Sequence, residues 1–443
     1  MTGDYLLNVK RDFKAVGDGR ADDSVAIQNA MQATSGNSAG GRLIFPRGRY
    51  LITNPLLTPG GYYSSIVLEG EGGMPGNTGS CIIGNFNDWL LKNTVQTNFP
   101  QQSIINLNFQ QNYQGGKLGP DTDNTAGCVN WGAGLGGYIL GCNFDIWTGV
   151  AVYAQVDCIE IIGCNITGHW GRMTGDPSFD SVGFWTSGRV SGGKHTNLTY
   201  GAVITDSGKL ENMMLDTCSH GVSIGSAPMA WKRNPMEDGT MMPTGWSFTS
   251  KSVTLSAVSH ESCLISMYVG RAGKVYVEGG EMANYVTEPN GPTAFAGIMI
   301  DDFCDRSVFR GIGISGAFTG GAVLLGSQYG QGRAAGTRFI DVNAQNTAGK
   351  RWAFKDGDIS TRIMPADSTA DDPIVFEGCP WMDPAIKVDQ LPSSPSSDWL
   401  QVVSDSMDPV WTGSASNVGK PVRGGGSKRA HVRWDNENWV IAG

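Results

Sequence analysis

Charge is scarce in this sequence. Only 16% of its 443 residues are Asp, Glu, Lys or Arg, too few to coat long surface helices. Lys and Arg number 32 against 41 acidic residues, a formal net charge of −9, and no basic block occurs. That pattern excludes the electrostatic footprint of a nucleic-acid binder. No apolar run approaches the roughly 20 residues of a membrane-spanning helix, so no membrane partner is expected. Residues 1–10 contain no apolar signal-peptide core. The expected location is extracellular or on a virion tail, reached by lysis, in a particle, or after trimming of the chain. The nine cysteines include no CxxC pair and no His/Cys cluster at zinc spacing. Cys142, Cys158, Cys164 and Cys218 lie in apolar strand contexts and read as small buried hydrophobes. No cofactor or metal site is expected; Ca²⁺ on Asp and backbone oxygens is the one ion the composition would suit.

What the chain does have is glycine, 63 residues, about twice average usage and without a collagen period. Many tight turns follow. A length of 443 residues is large for one compact core and ordinary for a solenoid. Residues 8–53 set the pattern. A strand start at Asn8-Val9-Lys10 leads to the turn Gly17-Asp18-Gly19. Asp22-Asp23-Ser24 then caps an amphipathic helix carrying Val25, Ile27, Ala30 and Met31. Strands follow at Leu43-Ile44-Phe45 and Gly48-Arg49-Tyr50-Leu51-Ile52. A helix ahead of many short strands predicts a plug on the open end of a stack.

This run resembles the N-terminal signature of the pectin-lyase-like right-handed parallel β-helix superfamily, in the branch of tailspikes and polygalacturonase-like proteins. The matching residues are Asp12-Phe13, Gly17-Asp18-Gly19, Asp22-Asp23, Ala26-Ile27-Gln28, Phe45-Pro46 and Gly48-x-Tyr50. The resemblance implies an all-β, right-handed parallel β-helix with an N-terminal capping α-helix and a small C-terminal β segment. It divides the chain into residues 1–53 (cap and first strands), 54–358 (β-helix with the glycan cleft) and 359–443 (linker and oligomerisation segment).

Further along, apolar runs recur at Ser65-Ile66-Val67-Leu68, Cys81-Ile82-Ile83 and Ile104-Ile105. Residues 110–125 read as a surface loop. From residue 136 each repeat reads as a first strand, a bend and a second strand. The second strands stack as Gly149-Val-Ala-Val, Val182-Gly-Phe-Trp, Gly201-Ala-Val-Ile, Gly221-Val-Ser-Ile, Cys263-Leu-Ile-Ser, Gly297-Ile-Met-Ile and Gly321-Ala-Val-Leu. First strands run over 158–166, 210–215, 253–257, 275–282 and 308–314. Insertions fall at 170–179, 227–251 and 283–296, and loops of that size usually carry function. The repeats are expected to stop after 342. Leu391-Pro-Ser-Ser-Pro-Ser-Ser is a linker, and the tail to Gly443 resembles the closing segment of tailspike-like proteins, which implies a homotrimer.

Stacking places polar residues at the bends. The segment from Leu215 to His220 aligns with that from Leu255 to His260, so His220 and His260 are expected ~5 Å apart on adjacent coils. Asp216 lies at the end of the strand before His220, Glu261 follows His260, and Glu281 lies in the next first strand. Asp206 and Asp301 take equivalent places beyond the second strand, with Asp302 beside the latter. Glycosidic hydrolysis needs two carboxyl groups about 5 Å apart for retention or 6.5–9.5 Å for inversion, a span of one or two coils. Lyase chemistry would need a base such as His220 or His260, with cations drawn from Lys232, Arg233, Arg271, Lys274, Arg306 and Arg310. Trp231 and Trp246 suit sugar platforms.

Ser219 to Ser226, SHGVSIGS, resembles the GHGxSIGS segment of polygalacturonases, whose histidine lies in the catalytic cleft. Asp180 stands where that family carries its NxD aspartate. The coil between should supply an aspartate pair but reads Thr199-Tyr200-Gly201. Arg271-Ala-Gly-Lys274 is a counterpart of the family's RxK.

The resulting expectation is an enzyme that cleaves an acidic bacterial surface or cell-wall polysaccharide. Glycoside hydrolysis is favoured over uronate β-elimination, and a non-catalytic carbohydrate-binding spike is the alternative from another class. The expected catalytic residues are Asp180, His220, His260, Glu261 and Glu281. Asp216, Trp231, Lys232, Arg233, Trp246, Arg271, Lys274, Asp301 and Asp302 are expected to bind substrate.

Overall fold

Most strands are three to six residues long, and in the solenoid each pairs with the turn of chain before or after it. The computed structural model describes residues 6–35, 41–59, 65–73, 79–93, 102–115, 126–131, 136–154, 159–169, 181–227, 246–247, 251–284, 294–304, 306–325, 336–346, 352–354, 375–377, 379, 400–406, 421, 428–434 and 439–441. Among them, strands assemble into three parallel sheets of 13, 12 and 11 strands, here called A, B and C. Each coil of chain contributes one strand to A, then B, then C, and pairs with the coil before and after it. This is a parallel β-helix. A coil can be as short as 20 residues, as where Thr217 donates to Asn197 on the coil before at 2.9 Å.

The repeat expected as two strands is three. The stretch 158–166 divides into Ile159–Ile162 in sheet A and Asn165–Gly168 in sheet B. The stretch 275–282 divides likewise into Val275–Glu278 and Glu281–Asn284. One residue in the left-handed region turns the chain between them. Asn106, Gly141, Gly163, Gly192, Asn212, Ala257, Gly279, Gly311 and Asp341 hold this corner on successive coils. Their N–H groups extend the ladder around the bend: Asn212 donates to Ser256 O and Ala257 to Glu278 O, both at 2.9 Å. A corner of two residues is too short to read as a loop.

Other boundaries also move. Gln110 and Gln111 belong to the strand Asn108–Gln111 rather than to a loop. The first strand is Leu6–Asn8, and Asp18–Asp22 is a strand beyond the Gly17 turn. Pairing continues past 342 through Asn343–Asn346, Trp352–Phe354 and Val375–Glu377.

Inward side chains of all three sheets form one buried core. Like residues stack on like: Phe109 on Phe144 with ring centroids 5.4 Å apart, and Phe309 on Phe339 at 5.0 Å. Cys142, Cys164 and Cys218 are buried in that core as free thiols; Cys158 lies outside the described residues. The helix Ser24–Ser35 lays Ile27, Ala30 and Met31 into the same core. Asp22 accepts from Ser24 N–H at its start, while the buried Asp23 turns back to accept from Val16 and Gly17 N–H at 2.6 and 2.9 Å. A separate antiparallel sheet holds Leu400–Ser406, Lys428–Trp434 and Trp439–Ile441.

Glycine opens several sheet C strands because sheet B side chains fill the space a Cβ would take. A Cβ on Gly221 would lie 2.3 Å from His260 Nδ1 and 2.5 Å from the Ser266 carbonyl oxygen. Gly183 faces His195, and Gly201 faces Leu215, in the same way. Gly221→Ala is therefore expected to destabilise by about 1–3 kcal/mol through overpacking. Gly163 has open space around it, and its left-handed corner is held by Asn106 and Asn212 on other coils, so Gly163→Asn should cost less than Gly221→Ala, because Asn tolerates that region. Urea unfolding of the two variants checks the contrast, and equal losses would contradict it.

Candidate active site on the outer face of sheet B

Register decides which expected residues meet. Leu210 pairs with Leu255, Leu215 with His260, and His220 with Ile265. The expected alignment of Leu215 with Leu255 is thus one strand out, because Leu210 and Leu215 are both inward leucines at matching spacing. His220 and His260 are not neighbours in one sheet. His260 lies in sheet B, only 1% exposed, with its ring turned inward onto Gly221. His220 begins the sheet C strand His220–Ile224.

The two faces of sheet C hold separate clusters. Val222 and Ile224 belong to the central core. Outward-facing Trp89, Val150, Val182, Trp185, Tyr200 and Val203 form a second cluster, and Ile265, Tyr268 and Met299 a third. His220 packs in this outer layer, with its ring centroid 5.0 Å from Tyr200 and 5.8 Å from Tyr268. It too is only 1% exposed. Burial pushes its imidazole down to about 3, so it stays neutral near pH 7. A neutral ring shut off from solvent is ill placed to relay protons.

Sheet B keeps a polar outer face. One column, in register along successive coils, runs Gln110, Asp145, Thr167, Thr196, Asp216, Glu261, Ala283. A second runs Asn108, Asn143, Asn165, Lys194, Met214, Ser259, and Glu281 follows on the next coil in the strand Glu281–Asn284. Asp216 and Glu261 therefore sit directly opposite each other on adjacent coils, both half-buried. Like charges so placed repel, and Lys194 Nζ, 2.8 Å from Asp216, offsets part of that. Of the expected residues, Asp216, Glu261 and Glu281 are brought together here.

The rest are not. Exposed Lys274 lies beyond sheet C, at the turn into sheet A. Arg271, Asp301 and Asp302 lie at the far end of sheet C strands, and Trp246 in the short strand Trp246–Ser247 paired with Ser226–Ala227. Asp180, Trp231, Lys232 and Arg233 lie outside the described residues. Asp206 stands at the end of sheet C and pairs with Lys251 at 3.1 Å.

Three residues were missed by the reading of the sequence. Asp145 Oδ1 lies 2.6 Å from His169 Nε2, and the His169 ring stacks on Trp147 at 3.9 Å between centroids with planes 2° apart. The signal was an alignment: Asn143-Phe-Asp-Ile-Trp147 lies in register over Asn165-Ile-Thr-Gly-His169. Among the described residues, no group of three or more His, Cys, Asp or Glu could hold a metal ion, and no helix is long and apolar enough to cross a membrane.

A family model described as rhamnogalacturonase A/epimerase, pectate lyase-like, matches residues 6–268, more than half of the chain. The chain belongs to that family. Similar solved structures include the pre-mature gene product 12 of bacteriophage phi29 (14% identity, TM-score 0.54), matched over 79% of this chain and 50% of that one. Another is the catalytic unit of a thermostable GH87 alpha-1,3-glucanase from Streptomyces thermodiastaticus (11% identity, TM-score 0.52), matched over 86% of this chain and 69% of that one. The chain thus spans half the length of the phage protein. At these identities the likeness is one of fold. A search of curated proteins returned no match.

The buried histidines make a pH prediction. His195 is fully buried, with Nδ1 2.8 Å from Gly201 O, and burial pushes its imidazole down to about 4. Unfolding exposes His195 and His220 to protonation at the ordinary value of about 6.5. The unfolded chain then binds more protons, so these two groups leave stability intact above pH ~6.5 and reduce it as pH falls toward their folded values. Each contributes a slope of up to about 1.4 kcal/mol per pH unit. Urea unfolding at pH 7 and 4.5 should show that loss, and His195→Gln should flatten it; an unchanged slope in that variant would contradict the assignment.

Proposed function

We propose that this protein cleaves a polysaccharide lying along the outer face of sheet B, by glycoside hydrolysis. The observation that carries the reading is the Asp216–Glu261 pair. Strands of adjacent coils run ~4.8 Å apart, close to the about 5 Å carboxyl separation of retaining enzymes. In this reading Asp216, paired with Lys194 Nζ at 2.8 Å, is the nucleophile. Glu261 is the acid and then the base. Glu281, exposed on the next coil, contacts the chain beside them. Membership of a family described by a rhamnogalacturonase and a pectate lyase supports polysaccharide as the substrate class. We place the protein outside the cell or on a virion, with the C-terminal antiparallel sheet as an oligomer contact.

One observation favours a second reading, a glycan-binding spike without catalysis. Tyr200 stands where polygalacturonases carry an aspartate pair, and it packs on His220 in a closed layer.

Incubation with a panel of neutral and acidic polysaccharides, read by reducing ends and by the ultraviolet absorbance of unsaturated products, separates the cases. Hydrolysis predicts reducing ends without that absorbance, and a product of retained anomeric configuration. Glu261→Gln and Asp216→Asn should each lower kcat by at least ~10²-fold. Full activity in both variants would remove the site, and glycan bound without loss of molecular mass would favour the spike.

A further inference from the structure

Five histidines occur in the chain, and three of them, His195, His220 and His260, are shut in at 0–1% exposure. His169 is different. Its side chain is 31% exposed and its partner Asp145 22% exposed. Asp145 takes Nε2 of the ring at 2.6 Å, which leaves Nδ1 as the nitrogen able to reach a ligand. Asp145 is itself held: Gln110 donates to its other oxygen at 3.4 Å, and Arg49 donates to Gln110 at 3.2 Å. Trp147 backs the imidazole from the coil before. One coil further on the aligned residue is Leu198, which is buried in the core. The column of rings therefore ends at His169.

This cluster shares a column with the carboxylate pair. Asp145, Thr167, Thr196 and Asp216 are successive members in register, so the two places lie ~14 Å apart along the axis at ~4.8 Å per coil. The intervening side chains are hydroxyls, with the amides of Asn143 and Asn165 beside them, joined at 3.0 Å. Amides, hydroxyls and an oriented carboxylate match the donors and acceptors of sugar hydroxyls. The nearby cations Lys194 and Arg49 are already engaged, by Asp216 and Gln110, so the column offers an anionic sugar little compensation.

We propose that Asp145, Trp147 and His169 form a distal sugar subsite that takes an uncharged pyranose unit of the same glycan. His169 Nδ1 and the spare lone pairs of Asp145 bond its hydroxyls, and the edge of the ring stack packs against its apolar face. The inference rests on the reading of sheet B as the glycan face, and it narrows that ligand to one with neutral units at this distance from the cleavage point.

The test uses the full chain and an array of neutral and uronate-bearing oligosaccharides. Wild type should capture a neutral oligosaccharide. Trp147→Ala and His169→Gln should each weaken that capture about tenfold, the worth of a hydrogen bond or a ring contact, with melting temperatures unchanged. Diethyl pyrocarbonate with peptide mapping gives a second readout: His169 should be modified while His195, His220 and His260 are spared, and the captured oligosaccharide should slow the reaction at His169. Undiminished capture by both variants, capture of uronate-bearing glycans alone, or unslowed modification of His169 would overturn the subsite. A glycan captured through these residues but never cleaved would instead overturn the depolymerase reading and leave the subsite standing. Capture of nothing would overturn both.

Discussion

Everything in this structure depends on the hydrogen bonds between one coil and the next. Parallel pairing fixes a spacing of ~4.8 Å and a register, and the register sorts every side chain into a column. Inward columns make the core, with Phe stacked on Phe. Outward columns give each sheet a character that no single strand has. Sheet C becomes an aromatic layer and sheet B a ladder of amides, hydroxyls and carboxylates. A residue's chemistry is then set less by its sequence neighbours than by what stands one coil above and below.

The same constraint explains the glycines. Sheet B brings His195, Leu215 and His260 into the lumen, where they meet the inner face of sheet C. Gly183, Gly201 and Gly221 leave room for them. Burial keeps the rings of His195 and His220 neutral, which ties acid stability to residues shut off from solvent. His220 and His260, expected in the cleft, are both only 1% exposed.

Much of this was legible in the sequence. The N-terminal signature named the superfamily, and the Gly-led second strands are the strands of sheet C. Asp216, Glu261 and Glu281 were all nominated, and they lie together on sheet B. What failed was the register. The corner between sheets A and B turns on one left-handed residue, and Asn212, Ala257 and Asp341 hold it without any Gly or Pro signal. Two strands therefore read as one, and Leu215 was set against Leu255 when Leu210 is its true partner. The His169 cluster was hidden for a related reason. Asp145, Trp147 and His169 look unremarkable in separate segments, and only pairing Asn143 with Asn165 brings them together.

The central claim is that the glycan lies on sheet B rather than on another wall of the solenoid. Hydroxyl-radical footprinting with and without bound oligosaccharide tests it most directly. Trp147, His169 and half-buried Met214 mark the sheet B side, while Tyr138 and Tyr276, 38% and 39% exposed on sheet A, are internal controls. The account predicts that oligosaccharide suppresses oxidation of Trp147, His169 and Met214 and leaves the two tyrosines unchanged. Protection of Tyr138 and Tyr276, with Trp147, His169 and Met214 still oxidised at their free rates, would contradict it.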